Sequence, residues 1–149
     1  MTFYNSIPKY PRDILYGFSL VIHAIVPLVF WLFLRETVKD ETNPTRILWN
    51  YFVHGSDFVI IFIHFLMFDN DFPIQSLYWN LIFVTVYVGW AWIGFFILGE
   101  FVYPFMDFNH PDAKYLYPGI YFLVIALTFV WYFIHKLKNK RKKHVEINV

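Results

Sequence analysis

The chain has 149 residues, 58% of them hydrophobic and 24% aromatic, with a formal net charge of +1. An ordinary soluble domain carries about 45 to 50% apolar residues, so this composition predicts an integral membrane protein. The absence of cysteine excludes disulfides, thiolate metal sites, cysteine-ligated iron-sulfur clusters and a cysteine nucleophile, and nothing in the pattern points to a nucleic acid.

In chain order, the segment before Asp13 is polar and aromatic and lacks the basic and apolar regions of a signal peptide. Crossing the hydrocarbon core takes about 20 predominantly apolar residues. Four stretches of that kind follow, at about 13-34, 47-68, 77-103 and 117-134. The connections between them are short and are broken by Asn43-Pro44, Pro73 and Pro111, so neighbouring helices are expected to be antiparallel. The predicted fold is all-α: one four-helix transmembrane bundle spanning residues 1-149, with both termini on the same side and a basic tail over 136-149. Lys9, Arg12 and six tail residues put eight of the twelve basic side chains on the terminal side. That bias predicts both termini inside, in cytosol or mitochondrial matrix. Mitochondrial inner membrane and endoplasmic reticulum satisfy the rule equally.

The first helix carries Ser19 and His23 one turn apart, and Pro27, which predicts a kink. On the second, Asn50, His54, Asp57, Ile61 and His64 fall within an arc of about 80° at 100° per residue, whereas Phe52, Phe58, Phe62 and Phe65 lie elsewhere. A charged group at the bilayer centre costs at least about 2.5 to 3.5 kcal/mol. This stripe is therefore expected to face the bundle interior, a watery cavity or another subunit. The third helix has Gly89, Gly94 and Gly99 at five-residue intervals, read as points of close helix approach. The fourth repeats a polar stripe with Tyr117, Tyr121, Thr128, Tyr132 and His135.

Three readings compete for this polar seam of Asn50, His64, Ser19, His23, Tyr121 and Thr128 around His54 and Asp57. In the plainest, hydroxyls and imidazoles satisfy one another where no water can. In the second, His54 is a general base oriented by Asp57, with Ser19, Ser56, Thr85 or Thr128 as nucleophile. In the third, His23 and His54, both near the predicted midplane, ligate a haem iron. A metal site without haem is not expected, since carboxylates are sparse in the membrane and no Glu-x-x-His pair occurs. Lys138, Lys140, Arg141, Lys142 and Lys143 in the tail are expected to meet lipid headgroups or a partner protein.

Three blocks carry a family resemblance: Asn50-Tyr51-Phe52-Val53-His54, Trp90, and Gly99 to Asp107 with its Tyr103-Pro104-Phe105 centre. In order and spacing, over roughly Tyr10 to Leu137, the chain resembles the androgen-induced protein family of multipass membrane proteins, whose members look like threonine hydrolases of fatty acid esters of hydroxy fatty acids. The resemblance implies that His54 stands where the family has its catalytic histidine. It also implies a catalytic threonine in an upstream membrane segment, for which the chain as read begins too late. Phe95 and Phe96 stand where histidines often precede the family's glycine block. The expectation is therefore a non-catalytic accessory subunit of a larger membrane complex, in contact with membrane lipids and other subunits and without a cofactor. An intramembrane lipid ester hydrolase is the alternative, and a haem b subunit the lesser one.

Overall fold

The computed structural model describes residues 9–34, 41–68, 70–101, 103, 106–109, 111 and 113–147, the side chains of 33, 34 and 141–147 aside. Four helices are long and apolar enough to cross a membrane. They are α1 (Lys9–Val29, continued by a π-helical stretch, Phe30–Leu34), α2 (Pro44–Met67), α3 (Ser76–Leu98) and α4 (Ala113–Ile147).

Each boundary has a local cause. Pro27 removes one backbone N–H from α1 and crowds the carbonyl a turn earlier, and three residues on the helix passes into the wider π geometry. Asn43 caps α2: its Oδ1 accepts from Thr45 N at 3.0 Å and Arg46 N at 3.4 Å, while Pro44 occupies the first turn, where a missing N–H costs nothing. α3 ends earlier than the expected 103, because Gly99 takes the left-handed conformation at φ 79° and its N–H donates to Phe95 O at 2.8 Å. α4 begins at Ala113 and runs through Pro118, which lies past the first turn and removes the N–H that would otherwise bond back to Lys114 O.

α1 is the hub. It packs against α2, α3 and α4, while α3 also packs against α4. In its most apolar stretch 39% of residues are buried, against 6% for α2, 11% for α3 and 17% for α4, so the other three turn most of their apolar surface outward. Leu20 and Val21 sit at the centre, among Tyr16, Ile25, Phe65, Val84, Val124 and Trp131. Gly17 provides the close approach: a Cβ there would lie 2.6 Å from Ser76 Oγ at the head of α3. Gly89 and Gly94, expected to play that part, have nothing within 4 Å of an added Cβ. Their five-residue interval circles the helix and forms no packing face.

The Lys9 ammonium pairs with Asp71 at 2.6 Å, and Lys138 Nζ donates to Phe68 O at 2.9 Å. The start of α1 and the far part of α4 therefore meet at the α2–α3 connection, with α1 and α3 running one way and α2 and α4 the other. Lys138 also donates to Phe65 O and lies 4.7 Å from the centre of the Phe65 ring, so a cation from α4 closes the carbonyl end of α2.

Candidate functional site

The α2 stripe does turn toward α1, though not uniformly. His54 stacks on buried Phe30 at 4.3 Å and 16°. His64 lies 5.6 Å from the Tyr16 ring and stacks on Phe68 at 4.5 Å. Asn50 donates back to Arg46 O at 3.0 Å in its own helix. Asp57 is exposed, and no hydrogen bond joins it to His54. The i, i+3 spacing that permits an orienting carboxylate is present without the contact.

The candidate nucleophiles are otherwise engaged or out of reach. Thr85 donates to Leu81 O at 2.7 Å, and Thr128 donates to Val124 O at 2.7 Å. Ser19 Oγ approaches His23 Nδ1 at 3.3 Å, but that nitrogen donates to Ser19 O at 2.7 Å and so has no lone pair to take a proton. Ser56 makes no hydrogen bond to His54. His23 is thus tied to its own helix and is not among the side chains lining the cavity that His54 borders, so the two imidazoles proposed for haem do not share that space. Among the described residues no three His, Asp or Glu side chains gather as a metal-holding group.

Most hydrogen bonds of the α4 stripe go to α3. Thr128 accepts from Asn80 Nδ2 at 3.0 Å, Tyr121 and Thr85 hydroxyls lie 3.1 Å apart, and Tyr117 accepts from Trp92 Nε1 at 2.9 Å. These contacts stitch α4 to α3 in antiparallel register. Only His135, at the far end of the stripe, reaches α1. Its Nδ1 donates to Trp131 O at 2.8 Å, which leaves Nε2 to accept from the Tyr16 hydroxyl at 3.3 Å. Phe65 and Phe72 enclose the imidazole. Asn80, Tyr16 and Ser76, all buried, were missed although a signal exists: Ser76 and Asn80 lie one turn apart on α3, and Tyr16 shares a face of α1 with Ser19 and His23.

Between α1, α3 and α4, with His54 as the contribution of α2, lies a cavity of ≈ 270 Å³. Valines and isoleucines form most of its wall; the polar side chains on it are His54, Asn80, Tyr87 and Tyr103, and the last two share a hydrogen bond. A second, open cleft of ≈ 440 Å³ lies where α4 passes the α2–α3 connection, lined by Asp71, Tyr132, Lys136, Asn139 and Lys140 among others. Lys140 thus stands where the sequence expects contact with headgroups; the side chains of Arg141, Lys142 and Lys143 lie outside the described residues, although the helix continues past them.

No family model, curated protein or solved structure matches the chain.

Proposed function

We propose that this is a non-catalytic multipass membrane protein, an accessory subunit held within a larger membrane assembly and in contact with lipid. The observation that carries the reading is Asp57. It lies near the middle of α2, exposed, on an outer stripe with Val53 and Ile60. Facing lipid there, a carboxylate costs at least about 2.5 to 3.5 kcal/mol, and among the described residues no side chain answers it. A neighbouring membrane helix that presents a cation or hydrogen-bond donor removes that cost. The lysine-bearing cleft beside α4 supports the lipid contacts, since Lys136 and Lys140 carry the charge an anionic headgroup requires. Mitochondrial inner membrane and endoplasmic reticulum both accommodate the proposal.

The test is native electrophoresis and pull-down in mild detergent. The wild-type chain should migrate within a larger complex, Asp57→Leu should release it as a folded monomer, and Asp57→Asn should retain part of the association. A monodisperse wild-type monomer without co-purifying protein, or an Asp57→Leu complex of unchanged size, overturns the proposal.

A lipid ester hydrolase of the androgen-induced type is the second reading, favoured by one observation: His54 borders the cavity. A serine- and threonine-directed fluorophosphonate probe decides between them. Labelling that disappears in His54→Ala supports the hydrolase, and its absence in active membranes counts against it.

A further inference from the structure

Asn80 carries an acceptor that no donor among the described residues serves. Thr128 spends its hydroxyl proton on Val124 O, so its oxygen can only accept, which fixes the Asn80 amide with Nδ2 toward Thr128. Oδ1 is left buried and without a partner in a side chain only 2% exposed. Buried acceptors are rarely left so, and this side chain stands on the wall of the ≈ 270 Å³ cavity.

The rest of the wall narrows what can serve it. Around Asn80 it offers Val21, Val84 and Val124. A water needs two to four polar partners, and cavities lined by aliphatic side chains stay dry. From Asn80 to Val88 the cavity follows α3 for about 12 Å at 1.5 Å per residue. The walls along that length are largely apolar, which suits an extended hydrocarbon chain. α2 packs little against α3, and His54 is the one side chain of α2 on the cavity wall among the described residues.

We propose that this cavity binds one single-chain apolar molecule whose polar group is a neutral hydroxyl, the hydroxyl donating to Asn80 Oδ1 and the chain running toward Tyr87 and Tyr103. A long-chain alcohol and a fatty acid in its protonated form share this chemistry. The site does not involve Asp57 or any partner helix.

The experiment uses the full chain in nanodiscs and three photoactivatable probes of equal chain length: an alcohol, its methyl ether and a carboxylic acid. Labelling of the cavity wall should favour the alcohol about tenfold over the ether, the value of one buried hydrogen bond. Asn80→Leu should abolish that preference, and Asn80→Asp, which keeps a carbonyl acceptor, should retain it. Val84→Phe fills the cavity without touching the amide and should remove labelling by every probe. Acid labelling that falls as pH rises, beside weak alcohol labelling, assigns the acid as occupant; strong alcohol labelling at all pH values assigns the alcohol. Equal labelling by alcohol and ether in the wild-type chain, labelling outside the wall, or a high-resolution map showing only water on Asn80 overturns the proposal. Asp57→Leu should leave the labelling pattern unchanged, so failure here and failure of the accessory-subunit reading are separate results.

Discussion

Replacing Gly17 by alanine places one methyl group where α1 and α3 touch. The new Cβ would lie 2.6 Å from Ser76 Oγ, 3.1 Å from Ser76 Cβ and 3.3 Å from Phe72 Cε2. Ser76 is 0% exposed and Phe72 5%, so neither can swing into open space. Overpacking of this kind costs about 1 to 3 kcal/mol, and the better helix propensity of alanine returns up to about 1 kcal/mol. A net loss of about 1 to 2 kcal/mol is expected for Gly17→Ala. Ser76→Ala removes the oxygen at the closest contact and also deletes a hydroxyl that is buried without a partner, so alone it should be neutral or stabilising by up to about 1 kcal/mol. The double variant should recover part of the loss, since the 3.1 Å approach to the Cβ of residue 76 and the 3.3 Å approach to Phe72 remain, with a coupling of about 0.5 to 1 kcal/mol between the two sites. Reversible unfolding in detergent micelles, followed for all four proteins, measures this cycle. Full stability of Gly17→Ala, or additive effects of the two changes, would refute the close approach as the constraint on the α1–α3 packing.

Lys138→Met removes the cation at the carbonyl end of α2, and hydrogen exchange should accelerate at the last turn of that helix while α3 is unchanged; the expected cost is about 1 to 3 kcal/mol. Tyr16→Phe leaves His135 Nε2 without its donor inside an aromatic cage, for a loss of about 1 to 2 kcal/mol in the same unfolding assay. Glu41, in the connection before α2, is held below the usual carboxylate range of 4.5 by the Asn43 backbone N–H and then by Arg46. Because the folded value is the lower one, its support for the start of α2 is complete above 4.5 and is lost as pH falls through the folded value. Protection of the amides in the first turn of α2, taken relative to their intrinsic exchange at each pH, should fall on acidification in the wild type and lose that dependence in Glu41→Gln.

Sequence reasoning located the four spans because length and apolar content determine them, and the antiparallel order because the connections are short. It placed the end of α3 at the proline block, whereas the nearer Gly99 ends the helix: a left-handed residue satisfies the last carbonyls before any proline is reached. Helical spacing correctly brought His54 and His64 to the inner face of α2. It also grouped Asp57 with them, at an angle between the two; that Asp57 is nonetheless exposed depends on where along α2 the other helices pack, which spacing within one helix does not encode. The α4 stripe was legible as a polar face, but its register against Trp92, Thr85 and Asn80 was not. That pairing depends on the vertical offset of two helices, which periodicity within either one does not encode. Asn80 and Tyr16 were legible in part, since Ser76, Asn80 and Tyr87 share a face of α3 and Tyr16 shares one of α1 with Ser19 and His23; the partner each meets is what spacing within one helix does not give.

The hub position of α1 also has a timetable. The bond between Tyr16 and His135 joins residues 119 positions apart. At roughly 5 to 20 residues per second of synthesis, α1 waits in the membrane for about 6 to 24 s before α4 emerges. During that interval α2 and α3 can already pack on α1, but Tyr16 is without His135, and the face of α1 that α4 later covers stays open. A chain arrested before α4 should therefore leave α1 exposed to quality control, and release of the last helix should act as the step that commits the protein to its final form.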